Sequence, residues 1–132
     1  MDRPTASLHE ALRGADPWHL ATSGPGGRPH VSTVWLDLRG ERILFNTAIG
    51  RVKQRNIERN PLVALSWCDP ANPDRSLAVQ GRVVETIDGD AAEADCDAIA
   101  EKYIGGPYPW RAEGERRITY LIEPTRIHSL AV

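Results

Sequence analysis

The sequence predicts an α+β fold in which one antiparallel sheet curls into a barrel. Six or seven short segments have the β-rich composition of strands, and only three modest helices accompany them. The predicted strands follow one another along the chain, with too few helices between them for a parallel βαβ series. A length of 132 residues suits one domain with a core of its own.

The first half of the chain is predicted to hold two helices and three strands. Thr5 or Ser7 can cap a short amphipathic helix that ends at Gly14. Residues 30–38 carry apolar side chains on both faces, so we expect a strand that is covered on both sides. A second helix follows Gly50, with Ile49, Val52 and Ile57 facing inward. The strands are predicted at 18–23, 30–38 and 42–47, with turns at 24–29 and 39–41.

The second half is predicted to add four strands and one helix. Gly81, inside a long strand, indicates a bulge or a close backbone approach. Pro124 separates the last two strands. The helix, residues 88–105, is predicted to bury Ala91, Ala94, Ala98 and Ile99. The strands are predicted at 62–67, 75–87, 116–123 and 125–130.

Composition and charge exclude several classes of protein. The net charge of −2 does not match nucleic acid or an anionic membrane. No apolar run approaches the ~20 residues that span a bilayer, and the N-terminus has no apolar stretch of the kind a signal peptide needs. Cys68 and Cys96 lack CxxC spacing. We therefore expect a cytoplasmic protein with reduced thiols that binds neither membrane nor nucleic acid.

Motifs for catalysis by side chains or by a metal are missing from the sequence. There is no GxSxG elbow and no GxxxxGK[ST] loop. The histidines are isolated and form neither HxH nor HExxH, so we expect no metal site and assign no catalytic side chain. They are His9, His19, His30 and His128.

Three cations gather where the second helix begins. Arg51, Lys53 and Arg55 oppose the helix dipole there, at a cost of about a few tenths of a kcal/mol. A local cationic patch in an acidic protein indicates a small anionic ligand, such as a phosphate or carboxylate at the helix start. Asn46 and Thr47 end the preceding strand and offer hydrogen bonds nearby. A solvated helix face would have the same spacing, so spacing alone leaves both interpretations open.

Two segments carry a resemblance to a known family. "GRVKQRNIERNP" (50–61) and "PYPWR" (107–111), in the context of residues 20–130, resemble the pyridoxamine-phosphate-oxidase-like split-barrel superfamily. The chain is most similar to its branch of short actinobacterial deazaflavin (coenzyme F-420)-dependent enzymes. The resemblance implies a six-stranded split β-barrel that forms a homodimer, with a flavin-type cofactor in each of two grooves at the subunit interface.

The resemblance also implies the residues that bind the cofactor. A strand backbone would meet the ring, two polar residues would contact the ring or the sugar-alcohol chain, and two cations would clamp the phosphate. The strand residues are Val31, Ser32, Thr33, Val34 and Trp35. The two polar residues are Asn46 and Thr47. The two cations are Arg51 and Lys53, with Asn56 nearby. Gln80 would add a polar contact, and Trp110 and Arg111 would line the mouth or reach across from the other subunit.

The chain departs from parts of the family pattern. Val52 separates Arg51 from Lys53, whereas members that bind flavin mononucleotide (FMN) carry adjacent Arg-Lys. The C-terminal Trp/Arg substrate motif is absent, so pyridoxamine phosphate oxidation is not expected. We expect an F-420-dependent reductase of an unsaturated or quinone-like small molecule; an FMN-dependent enzyme and a carrier without turnover are the alternatives. The candidate substrate wall is Trp35, Trp67, Tyr108 and Trp110, of which Trp35 and Trp67 could instead be core.

Overall fold

The computed structural model describes residues 2–131 and contains one curled antiparallel sheet with three α-helices. In chain order the elements are α1 (Arg3–Arg13), β1 (Trp18–Ser23), β2 (Pro29–Val34), β3 (Leu36–Arg39), β4 (Arg42–Ala48), α2 (Val52–Arg59), β5 (Leu62–Asp69), β6 (Asn72–Ile87), α3 (Gly89–Ile104) and β7 (Arg117–Leu130). The sheet order is β2-β1-β5-β6-β7-β4-β3. This half-barrel confirms the predicted α+β split-barrel fold.

The main core lies between the sheet and α1. Leu8 and Leu12 of this helix are fully buried, as the amphipathic pattern predicts. The rings of Trp18 and Trp67 stack beside them with centroids 6.2 Å apart. The predicted N-cap is wrong: α1 begins earlier, and the side chain of Asp2 accepts the bond from the backbone N–H of Thr5. No helix within residues 2–131 is long and apolar enough to cross a membrane.

The segment predicted as one strand over 30–38 is two strands interrupted at Trp35. β2 pairs with β1 and β3 pairs with β4, so the two pieces form opposite edges of the sheet. This break gives seven strands where the family resemblance implies six. The expected cover on both sides is also missing from β2 in the single chain, because Val31 is 64% exposed.

The helix α2 docks on β1 through Asn56 and closes the turn before its own start through Gln54. Asn56 is buried and donates to Thr22 Oγ1 at 3.0 Å, and Gln54 is buried while its Oε1 accepts from the N–H of Gly50 at 2.9 Å. Ile57 faces inward as predicted. Ile49 and Val52 do not, because polar residues occupy the buried face; they are 39% and 46% exposed.

The helix α3 covers the outer side of β4 and β7. Its buried residues are Ala92, Cys96, Ile99 and Ala100, so the predicted face is right only at Ile99. Alanines of α3 lie on every side of the helix, so its apolar residues show little of the period that would identify a buried face. Lys102 fixes its end, because Nζ donates to the carbonyl oxygens of Leu12 and Leu36, each at 2.7 Å.

The strands β6 and β7 pair along most of their length, with an irregularity at Gly81. A Cβ at this position would lie 2.6 Å from Cγ2 of Ile122, and the register shifts between Gln80 and Gly81. The close approach predicted from the sequence is therefore present. Pro124 faces Gly81 at this shift and does not end the strand, so the two predicted closing strands are one.

Candidate cofactor-binding site

A cavity of about 190 Å³ opens where the chain leaves β2 and turns at Trp35. The ends of β2 and β4, the start of α2, one face of α3 and the loop before β7 surround it. It brings together most of the residues that the sequence assigns to a cofactor. Its walls are Thr33, Val34, Trp35, Phe45, Asn46, Thr47, Arg51, Lys53, Cys96, Ile99, Tyr108, Trp110 and Arg117.

One end of the cavity is cationic. Lys53 is half-buried and its Nζ donates to Ser32 Oγ at 3.1 Å. Burial, followed by the charges of Arg51 and Arg117, lowers the pKa of Lys53 below its usual value. The nearest carboxylate oxygen to Arg51 is Oε1 of Glu115, 3.7 Å from Nη2. An anion placed here would relieve the repulsion among these cations.

Arg51 is the N-cap residue of α2, and its side chain makes no capping hydrogen bond. The first N–H groups of a helix have no acceptor within that helix. Arg51 and Lys53 therefore stand beside free backbone donors, and the helix dipole adds partial positive charge at the same point. The sequence predicts an anion site here, and the structure brings Arg51 and Lys53 into one cavity wall.

The hydroxyl of Thr47 is a buried polar group that lacks a partner. The residue is 1% exposed, and within residues 2–131 its Oγ1 has neither a donor nor an acceptor. An unmade hydrogen bond of this kind costs about 1–3 kcal/mol. Since Thr47 also lines the cavity, a polar ligand group beside it would remove that cost.

Asn46 differs from Thr47 because its side chain is already bonded within the protein. Its Nδ2 donates to the carbonyl oxygen of Ala92 at 2.9 Å and to Thr119 Oγ1 at 3.0 Å. Its Oδ1 accepts from Nε of Arg117 at 2.9 Å. The sequence assigns Asn46 to the ligand, and in the structure it also fixes the orientation of Arg117.

The other end of the cavity is aromatic. The ring centroid of Trp35 lies 6.2 Å from that of Tyr108 and 6.5 Å from that of Trp110, which is 62% exposed. Tyr103 stacks on Trp35 at 5.0 Å, and burial raises the pKa of Tyr103 to about 12. Trp67 belongs to the core instead. The candidate wall is therefore the three aromatic side chains of Trp35, Tyr108 and Trp110.

Sequence reasoning missed several residues of the cavity. Arg117 follows another arginine and has the sequence signal of a surface charge, yet it is buried. Cys96 lies on the face of α3 that was not predicted to be buried, and burial raises the pKa of its thiol. Phe45 and Ile99 have the apolar signal of core residues, which does not separate a cavity wall from a closed interior.

Five predicted site residues do not line this cavity in the single chain. Asn56 bonds to Thr22 and Arg59, and Ser32 supports Lys53. Val31 and Gln80 lie exposed on β2 and β6. Arg111 is held by α3, with Nε 3.2 Å from Glu93 Oε1 and Nη1 2.9 Å from Asp97 Oδ1. A direct role of these residues at a cofactor stays a prediction.

A second cavity, of about 380 Å³, lies along α2 from Val52 to Arg59, against the turn that precedes β2. Three arginines and no carboxylate line it: Arg28, Arg55 and Arg59. The Nδ1 atom of His30, which also lines it, is buried and has no partner within residues 2–131. The helix α2 therefore contributes cations to two cavities, the first at its start and the second along its length. Within residues 2–131 no three or more side chains of His, Cys, Asp or Glu form a cluster that could hold a metal ion.

The curled sheet, the cationic helix start and the aromatic loop define a protein of the flavin-binding split-barrel class. The family model described as pyridoxamine 5'-phosphate oxidase matches residues 5–130, and the chain belongs to this family. A solved structure named F420 reductase is 33% identical over 91% of this chain and 94% of that chain, with a TM-score of 0.81. These matches confirm the superfamily and the branch identified from the sequence.

More distant structures share the fold. A conserved hypothetical protein of Mycobacterium tuberculosis is 24% identical over 98% of this chain and 84% of its own, with a TM-score of 0.77. A pyridoxamine 5'-phosphate oxidase-related, FMN binding protein of Nostoc punctiforme is 20% identical over 95% of this chain and 78% of its own, with a TM-score of 0.63. A search of the curated proteins found no match.

Proposed function

We propose that this protein is an oxidoreductase that binds the deazaflavin coenzyme F-420 and transfers a hydride to a small unsaturated or quinone-like molecule. One observation carries the proposal: a single cavity combines the unpartnered Thr47 hydroxyl with two cations and an aromatic wall. The similarity to an F420 reductase supports the choice of cofactor.

The residues present fit such a cofactor. Arg51 and Lys53, with the free N–H groups that begin α2, would bind its phosphate. The hydroxyl of Thr47 would bond to its polar groups, and the β2 backbone at Thr33 and Val34 would face its ring. A bound deazaflavin supplies a ring carbon that carries a hydride. The chain therefore needs no nucleophile of its own, and its task is to bind, orient and exclude water.

A homodimer forms part of the proposal. Ligand sites usually enclose about 300–1,000 Å³, and the first cavity holds about 190 Å³. Val31, Val52 and Trp110 are large exposed apolar residues near it. A second copy placed over these residues would deepen the groove and bury their surface.

An FMN-dependent enzyme is the second candidate, supported by the FMN binding protein that shares the fold. The second cavity favours F-420 over FMN. The glutamyl tail of F-420 carries carboxylates beyond the phosphate, and FMN ends at the phosphate. Arg28, Arg55 and Arg59 offer such a tail three cations without a competing carboxylate in the cavity wall.

The first experiment is a fluorescence titration of the purified protein with F-420 and with FMN. We expect tighter binding of F-420. Replacing Arg51 and Lys53 together by Ala should weaken binding by about 1.5–3 kcal/mol for each charge-assisted bond lost. The matched control is R3A with R13A, which removes two exposed arginines of α1 and should change nothing. Equal affinity in the Arg51/Lys53 variant and the wild type would refute the phosphate site.

A second experiment separates the two cofactors. The triple variant R28Q, R55Q and R59Q should bind F-420 more weakly and bind FMN as the wild type does. Only F-420 has tail carboxylates that would lose their contacts with the three arginines. Salt should weaken F-420 binding to the wild type more than to this variant. An equal loss for both cofactors would show that the arginines do not distinguish the tail.

A further inference from the structure

Arg117 is a buried cation in the cavity to which the proposed function gives no role. It is the first residue of β7, lies opposite Ala48 of β4 and is 6% exposed. An arginine this deeply buried is rare unless it is paired and its N–H groups are used. The contacts of the guanidinium therefore indicate the role of its charge.

Three contacts fix the plane of the guanidinium. Nε donates to Oδ1 of Asn46 at 2.9 Å, and Nη1 donates to Oε2 of Glu115 at 3.0 Å. The guanidinium carbon lies 5.0 Å from the ring centroid of Tyr108. Arginine has five N–H groups in a rigid fork, and Nη2 has no acceptor within residues 2–131. The guanidinium is thus held in one orientation in the cavity wall, and its Nη2 remains available to donate to a ligand.

Arg117 lies between the cationic and the aromatic ends of the cavity. Its charge acts on Lys53, and Glu115 lies between Arg117 and Arg51 with one carboxylate oxygen toward each arginine. On the other side Arg117 contacts Tyr108, whose ring packs against Trp110 with centroids 5.6 Å apart. The guanidinium therefore adjoins the aromatic wall, where a flat molecule would stack.

We propose that Arg117 is a specificity-determining residue of this site, whose guanidinium binds the carbonyl oxygen of the hydride acceptor. The inference rests on the proposed function. A conjugated carbonyl acceptor would gain a C–H bond at its β-carbon from a hydride, with both electrons coming from a reduced deazaflavin. The C=C pair would then shift to the bond between the α-carbon and the carbonyl carbon, and the C=O pair would move onto the oxygen. Arg117 would stabilise this negative oxygen until water protonates the enolate.

The test compares two flat probes with the same carbon skeleton. 2,3-Dimethyl-1,4-naphthoquinone carries the oxygens, and 2,3-dimethylnaphthalene lacks them; both methyl groups block addition of the exposed Cys68 thiol to the quinone. Binding is followed by quenching of tryptophan fluorescence, since Trp35 and Trp110 line the cavity. The titrations are made on cofactor-free protein and on protein holding oxidised F-420.

We expect the wild type to prefer the quinone and R117Q to lose about tenfold of that preference, because one charge-assisted hydrogen bond disappears. Hydrocarbon binding should stay unchanged, and F-420 affinity is measured beside it to separate a role at the acceptor from a role at the cofactor. In turnover with reduced F-420, kcat for the quinone should fall about a hundredfold, as for other lost oxyanion donors. R117K keeps the positive charge but lacks the guanidinium fork, so it should recover part of the quinone preference and part of kcat. The exposed neighbour Arg116 gives the control R116Q.

Two results would overturn the inference: a wild type without preference for the quinone, or an R117Q protein that keeps the preference. A fall in F-420 affinity with the quinone preference retained would make Arg117 a cofactor contact instead. If R117Q is poorly folded because Glu115 loses its partner, E115Q with R117Q removes both charges and repeats the comparison. Failure of the wild type to bind F-420 would refute the proposed function, while the probes on cofactor-free protein still decide the role of Arg117.

Discussion

At the scale of single residues, two neighbouring threonines differ in whether their hydroxyls are bonded. Thr119 Oγ1 accepts from Asn46 Nδ2 at 3.0 Å and donates to Asp95 Oδ2 at 2.8 Å. Thr47, on the strand paired with it, has no partner within residues 2–131. The first hydroxyl stabilises the fold. The second is a cost to the fold that a polar ligand group in the cavity would recover.

This difference predicts opposite effects of the same substitution. T47V removes an unpaired buried hydroxyl, so the free energy of unfolding should rise by about 1 kcal/mol while F-420 affinity falls. T119V breaks two bonds and should lower the free energy of unfolding by about 1–3 kcal/mol. Urea denaturation and cofactor titration measure both quantities. A T47V protein that is less stable and binds F-420 normally would contradict the site.

Lys53 gives a prediction about pH. Its pKa is lowered, mainly by burial, so the side chain loses its charge at a less alkaline pH than an exposed lysine does. Only the charged form attracts the cofactor phosphate, so affinity should fall as pH rises through this lowered pKa. K53R stays charged and should hold its affinity further into the alkaline range. Titrations of both proteins from neutral to alkaline pH test this; parallel curves would mean that Lys53 does not contact the anion.

The sequence signal for site residues depended on how unusual each residue was at its position. Arg51 and Lys53 were conspicuous because cations at a helix start oppose the dipole, although spacing alone left a solvated face open and the family resemblance supplied their assignment. Thr47 could be placed at a strand end, although its missing hydrogen bond is visible only in three dimensions. Arg117 could not be found, because its burial depends on Asn46 and Glu115, which come together only when β4 and β7 pair.

At the scale of elements, strands and helices were predictable where a turn residue or a clear period marked them. β1 has the predicted bounds, and Gly105, in the left-handed conformation at φ 75°, caps α3 where the sequence places its end. The inward face of α3 could not be predicted, because alanines on every side remove the apolar period. The break at Trp35 was also hidden, since it arises from the two halves joining opposite edges of the sheet.

The β6–β7 pair predicts a steric effect at Gly81. G81A would place a methyl group 2.6 Å from Cγ2 of Ile122 and 3.2 Å from the carbonyl oxygen of Glu123. The strands must separate to accept it, so the free energy of unfolding should fall by about 1–3 kcal/mol. At Gly106 nothing lies within 4 Å of an added Cβ, which makes G106A the control. Equal stability of the two variants by urea denaturation would show that the strands yield without cost.

At the scale of the whole molecule, the sheet is open and its two edges are the two halves of one predicted strand. The first cavity lies where those halves part, so the site and the open edge coincide. Neither feature could be read from local sequence, because both result from the order of strands in the sheet. The order of predicted strands supplied the curled antiparallel sheet, whereas the groove and its place at a subunit interface came only from the family resemblance.

The exposed apolar edge leads to a prediction about assembly. Val31 is 64% exposed on β2, an edge strand, and apolar edge residues in a single chain indicate a surface that another chain covers. If a second copy completes the cavity, dimerisation and cofactor binding share free energy. V31K should shift the protein from dimer to monomer in sedimentation velocity and weaken F-420 binding, although Val31 does not line the cavity in the single chain.

A second variant, V84K, is the control for V31K. It distinguishes an effect at the sheet edge from a general effect of an added charge. Val84 is a 39% exposed apolar residue of β6, away from the sheet edge, and its replacement should leave both assembly and affinity unchanged. Dilution gives an independent measure, since a site shared between subunits must bind F-420 more weakly once the dimer dissociates. Constant affinity across the dissociation range would mean that one chain holds the whole site, and the small cavity beside α2 would then have to accept the cofactor alone.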